Sequence, residues 1–173
     1  MRFRLAVWLA VALAAPAFCA GDDFDDYPAR PVEQVLKEHP CASPGGGLLA
    51  ESVMFHADAK FTGGPRAPSK ERLDLLRRWL AKLGSSEPAA GYGKEIRVTS
   101  GRGAWWAHIN NTLLDSVNKE LGPAETADFY FSFIGCAGSD PVFVIDGILT
   151  PEESPDESSY LVLYLGMMPL PVA

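Results

Sequence analysis

The chain has no apolar stretch long enough to cross a bilayer as a helix. Its longest, Leu5 to Ala15, is about half the ~20 residues that a spanning helix needs. Basic residues are outnumbered, with 15 Lys and Arg against 22 Asp and Glu, for a formal charge of -7. A nucleic-acid binder needs a basic stripe, so no nucleic-acid partner is expected. Histidine is scarce, and His39, His56 and His108 fall in different predicted elements. No His-x-x-x-His, Cys-x-x-Cys or calcium-loop spacing occurs, so no metal site is expected. There is no phosphate loop and no dinucleotide fingerprint, so no cofactor is expected either. The nucleophile elbow of a serine hydrolase, Gly-x-Ser-x-Gly, is also missing. The 16 glycines and 14 prolines show no period, which excludes a collagen-like chain.

What is present begins with an address. Met1 to Arg4 is basic, Leu5 to Ala15 is apolar, and small residues follow. Those are the three parts of a secretory signal peptide, with cleavage expected after Ala17 or Cys19, so residues 1–20 are assigned to it. Cys19 has an alternative as a lipidated N-terminal cysteine. Pro16 and Phe18, however, stand where such a motif wants a branched apolar and a small residue. The mature chain is then expected in the periplasm or outside the cell, with no transmembrane anchor after processing. Losing Arg2 and Arg4 makes it more acidic still.

The cysteine count resolves in the same step. With Cys19 in or beside the leader, Cys41 and Cys136 remain. In an oxidising compartment an isolated pair is read as a disulfide. The competing reading makes Cys136, in Gly-Cys-Ala-Gly, a nucleophile served by His108.

After an acidic, mobile N-terminus over residues 21–30, residues 31–173 read as one α+β domain. Pro31 to His39 predicts a short helix. Leu48 to Phe61 fits a helix or a strand, and its alanines tilt the reading towards helix; Thr62 to Pro68 reads as a loop. Ser69 caps the clearest helix, Lys70 to Leu83, whose leucine stripe opposes Arg72, Arg77, Arg78 and Lys82. That basic face reads as solvated, with anionic lipid or wall polymer as a weaker alternative. Lys94 to Ser100 and Ala104 to Ile109 alternate as a hairpin, and Asn110 or Asn111 caps a helix to Leu121. Ala127 to Ile134 is a strand with Phe129, Phe131 and Phe133 on one face. A turn over Gly135 to Pro141, a strand over Val142 to Ile145, an acidic loop and a strand over Tyr160 to Leu165 complete the chain. The expected fold is an antiparallel twisted sheet of about five strands, open or partly closed into a barrel. Two to four helices pack on it.

One local cluster stands out: Arg102, Trp105, Trp106 and His108. Adjacent residues of a strand point to opposite faces, so at least one tryptophan can reach an exposed surface or groove; the competing, plainer reading puts one in the core and the other under a helix or loop. Tryptophan beside arginine is typical of binding hot spots. Arg97 to Ile148 carries a Gly-x-x-x-Trp hairpin, a helix, an aromatic strand, an Ile-Gly turn and Val-Phe-Val-Ile-Asp. This stretch resembles small exported proteins of Gram-negative bacteria that have no assigned function. The resemblance implies no catalytic residue. The expected function is therefore a non-enzymatic domain that binds a protein partner in the cell envelope, as an inhibitor, immunity or accessory protein. A small hydrolase acting on peptidoglycan or peptide is the alternative.

Overall fold

The helices begin where capping chemistry places them. α1 (Val32–Glu38) follows Pro31 and buries Val32 and Val35. α2 (Lys70–Lys82) starts at Ser69, whose hydroxyl accepts from the Arg72 N–H, and it buries Leu75, Leu76, Trp79 and Leu80. α3 (Asn111–Glu120) starts at Asn110, whose side chain accepts from the Thr112 N–H at 2.8 Å. This computed structural model describes residues 26–41, 46–85, 89–122, 124–151 and 160–163. The leader, Cys19, most of the acidic N-terminus and the acidic loop after Pro151 lie outside the described residues.

The strands are β1 (Gly47–Arg66), β2 (Lys94–Ser100), β3 (Gly103–Ile109), β4 (Thr126–Ala137), β5 (Asp140–Pro151) and β6 (Tyr160–Leu163). β1 pairs with β4 through its first half and with β2 through its second. β2 pairs with β3, and β4 with β5. The ring closes where β3 meets β5 over Ala107 to Ile109 and Phe143 to Ile145. β6 lies outside the ring, paired to the far end of β5.

Two expectations need correction here. The closing joint is parallel, so the sheet is mixed and not antiparallel throughout. Parity requires it: strands around a closed ring of five cannot all alternate in direction. Leu48 to Phe61 is strand and not helix, and the strand runs on to Arg66 through the expected loop. Two strand partners outweigh the weak helical preference of its alanines. Register shifts after Leu48, Phe61 and Gly63 let β1 curl from one partner to the other.

The expected turn around Cys136 is also shorter than read. β4 continues to Ala137 and turns only at Gly138 and Ser139. Gly135 sits at φ 144°, with Gly47 O where a Cβ would stand, so glycine alone fits this crossing of β1 and β4.

Inside the ring, Phe55, Phe129, Phe131, Phe133 and Phe143 are at most 1% exposed. Phe55 stacks on Phe131 at 5.3 Å, and Phe133 meets Phe143 at the same separation. α1 and α3 contribute Val35, Leu113 and Val117 to this core. α2 packs outside, on Ile134, Val142 and Val144. Cys41 and Cys136 are bonded, with Cα atoms 5.6 Å apart across a sequence separation of 95. On the chain-entropy account such a loop contributes roughly 4–5 kcal/mol. Among the described residues no helix is long and apolar enough to cross a membrane.

Candidate functional site

The hairpin of β2 and β3 settles where the expected site residues go. Trp105 turns inward against the core. The ring of its indole lies where a Cβ on Gly103 would stand, so glycine there is a packing requirement. Trp106 turns outward and stays half-buried. Arg102 is exposed in the tight turn, where its backbone N–H donates to Glu33 Oε1 of α1 at 3.0 Å. His108 is fully buried, outside the ring but beneath α2. The four residues therefore do not form one surface. Trp106 alone reaches the outer face of the hairpin with its side chain available to a partner.

Three rows of outward residues cross β1, β2 and β3. Lys60, Thr99 and Ala104 form one row; Gly63, Arg97 and Trp106 form the next; Arg66, Glu95 and His108 form the third. Arg66 lays its guanidinium over the Trp106 ring, 3.8 Å from the centroid. Arg97 is exposed, and no described carboxylate pairs with it. The only acid in these rows is Glu95, which is fully buried. One of its oxygens receives Arg72 Nε, and the other receives Arg66 Nε at 3.0 Å.

Arg72 is the residue the sequence reading misplaced. It belongs to the supposedly solvated face of α2, yet it is 5% exposed. Its NH1 donates to Pro141 O at 2.8 Å and its NH2 to Trp106 O at 2.7 Å. Those two carbonyls lie just before the point where β3 and β5 begin to pair. The guanidinium thus bridges the seam where the ring has parted, and it holds Trp106 through its own backbone. A signal was legible: Arg72 precedes Leu75, Leu76 and Trp79 at the helical spacings of a buried stripe.

His108 Nε2 lies 3.7 Å from Glu95 Oε1, beyond hydrogen-bonding distance. Burial pushes the imidazole down to about 4, reinforced by Arg72 and opposed by Glu95. At neutral pH it is an uncharged part of the wall. Cys136, its suggested nucleophile, is in the disulfide, so that pairing offers no chemistry.

A second site appears on the outer face of β1 and β4. His56 Nδ1 sits 2.7 Å from Asp128 Oδ2, and its ring stacks on Tyr130 at 5.2 Å. His56 and Asp128, with Arg30, Asp58, Ser100 and Gly101, line a cleft of about 410 Å³. Residues Tyr27 to Arg30 lie beside it. Arg30 N–H donates to His56 O at 3.0 Å, and the Tyr27 hydroxyl donates to Asp146 Oδ2 at 3.1 Å. The other oxygen, Asp146 Oδ1, is closed off from solvent without a hydrogen bond. Burial pushes this carboxyl up to about 7, while the Ser132 and Tyr27 hydroxyls pull the other way. Burial and the neighbouring Asp146 carboxylate in turn push the Tyr27 hydroxyl up.

Among the described residues no group of three His, Cys, Asp or Glu side chains is placed to hold a metal ion. The chain matches no known family model, no curated protein and no solved structure.

Proposed function

We propose that this chain is an exported, non-enzymatic domain that binds a protein partner in the cell envelope, acting as an inhibitor, an immunity protein or an accessory subunit. One observation carries the reading: an outward tryptophan with an arginine stacked on it, on an open sheet face. Trp and Arg are enriched in binding hot spots, and Trp gives large contact area with little ordering cost. Trp106 is pre-positioned, since Arg66 covers one face of its ring and Arg72 holds its carbonyl. Such fixing reduces the entropy lost on association. Five-stranded barrels of the OB type bind their ligands on the face of strands 2 and 3. The parallel is at the level of fold and brings no ligand with it. Export is supported by the leader-like first twenty residues and by the bonded cysteine pair.

The test is affinity capture from envelope extract with the mature protein and with Trp106→Ala. The variant is expected to keep its unfolding midpoint and to lose the partner. Equal capture by both proteins removes Trp106 from the interface.

Among the described residues, the enzymatic alternative finds a histidine in hydrogen-bonding contact with an acid at a cleft in the His56–Asp128 pair. Asp128 orients that imidazole as an acid orients a general base. Ser100, the hydroxyl in the cleft, instead donates to Asp58 O at 2.7 Å, so it is not aligned as a nucleophile. Hydrolysis of peptidoglycan or peptide that disappears in His56→Ala would establish this reading over the first.

A further inference from the structure

The charge around Trp106 runs against the charge of the whole chain. The sequence carries -7, and an acidic domain is expected to meet basic targets. The three rows around Trp106 have the opposite sign. Lys60, Arg66 and Arg97 are exposed there, and the single acid, Glu95, is buried and engaged by two guanidiniums. Arg66 is tied on one side to Glu95 while 43% of its side chain remains exposed. Arg97 has no described acid partner at all. The floor between them is low, because Gly63, Thr99 and Ala104 supply the positions around Arg97 and Trp106. The border is sharp: two residues before Lys60, Asp58 stands opposite Asp128 and opens an acidic surface.

From this placement, and resting on the protein-binding reading above, we infer that the face of Lys60, Arg66, Arg97 and Trp106 docks an acidic segment of its partner, one with an aromatic or other flat side chain among its carboxylates. The carboxylates would meet Arg97 and Lys60, neither of which is ion-paired with a described carboxylate. The flat group would lie against Trp106. Arg66 holds the indole in place and adds charge of the same sign. The acidic surface that begins at Asp58 and Asp128 repels the same segment on that side, so register is set by attraction at one place and repulsion beside it.

The probe is a labelled synthetic peptide of four aspartates around one phenylalanine, titrated into the mature protein at low and at physiological salt. Binding is expected, with a dissociation constant that rises with salt. Arg97→Glu is expected to weaken it about tenfold or more, as like charge replaces opposite charge at a docking face. Lys60→Glu is expected to do so less, because Asp58 already stands beside it. A peptide with lysine in place of aspartate is expected not to bind. Binding of the acidic peptide that is indifferent to Arg97→Glu, or no tighter than that of the lysine peptide, overturns the proposal. So does a sulfated oligosaccharide that binds the same face more tightly, or concentration-dependent self-association that Arg97→Glu abolishes, since either names a different occupant. Loss with Trp106→Ala but not with Arg97→Glu keeps the tryptophan-centred interface and discards its acidic occupant. Loss with Arg97→Glu but not with Trp106→Ala keeps the acidic occupant and discards the tryptophan as its anchor.

Discussion

The two halves of β1 face different chemistry. The first half turns His56 and Asp58 outward beside Asp128, and Asp146 lies further across the same face on β5. The second half turns Lys60 and Arg66 outward beside Arg97. Each face also removes a carboxylate oxygen from water, and the two are supplied very differently. Glu95 has a guanidinium on each oxygen. Asp146 has only hydroxyls, those of Tyr27 and Ser132, with no hydrogen bond on Oδ1, and its proton is held up to about pH 7. The contrast is in what reaches each carboxyl: guanidiniums at Glu95 and hydroxyls at Asp146, in both cases from elements far apart in sequence.

The largest effect is expected from Arg72→Ala. It strands Glu95 in the interior and leaves the Pro141 and Trp106 carbonyls without their donor. Breaking a buried pair from one side costs about 3–5 kcal/mol, so urea unfolding should show a loss of that size. A loss under about 1 kcal/mol would mean that solvent replaces the guanidinium and the seam is not dry.

The two faces should also respond oppositely to pH. Folded Asp146 keeps its proton to about pH 7, whereas an unfolded aspartate releases it near ~4. Its contribution is therefore greatest below pH ~4 and is lost as pH rises through 7. Folded His108 stays neutral down to about 4 against an unfolded value near ~6.5, so its contribution is lost as pH falls across that window. Unfolding midpoints of Asp146→Asn and His108→Gln, followed from pH 4 to 8, should tilt in opposite directions relative to the parent protein. Parallel profiles would show that neither group titrates as its surroundings imply.

Tyr27→Phe should cost about 1–2 kcal/mol, since it removes the hydroxyl from Asp146 Oδ2 and leaves both carboxylate oxygens poorly served. Restoration of most of that stability in Tyr27→Phe with Asp146→Asn would show the two residues coupled; simple additivity would show them independent. Smallest of all, His56→Ala should change stability by about 0–1 kcal/mol, because the His56–Asp128 pair is partly open to solvent on both sides. A larger loss would place that pair among the structural supports of β1 and β4.

Much of this fold was legible where one face of an element meets one partner. Leu76, Trp79 and Leu80 recur with helical spacing, and Phe129, Phe131 and Phe133 alternate cleanly. β1 was not legible, because its buried positions serve β4 and then β2, and the register shifts between them break the alternation. The parallel joint is a property of ring closure, which no local pattern encodes. Strand alternation set Trp105 and Trp106 on opposite faces but did not say which of them turns out. The burial of His108 was not legible, because it depends on α2 lying across the hairpin, and the burial of Arg72 had only its helical spacing to Leu75, Leu76 and Trp79 to announce it. His56 and Asp128 are far apart in sequence and meet only through the register of β1 and β4, so their pairing could not be read from spacing.

The seam at Arg72 also sets an order of assembly. The guanidinium reaches the Pro141 and Trp106 carbonyls only after α2 has docked and β3 has come round beside β5. Distant pairing costs chain entropy before its contacts offset that cost, so the β2–β3 and β4–β5 hairpins are expected to form first and the ring to close last. Until it closes, β3 and β5 each present an open edge, the form in which strands recruit neighbouring chains. Arg72 therefore acts as a latch on the closed ring: it does not hasten closure but slows the reopening that would bare those edges to neighbouring chains.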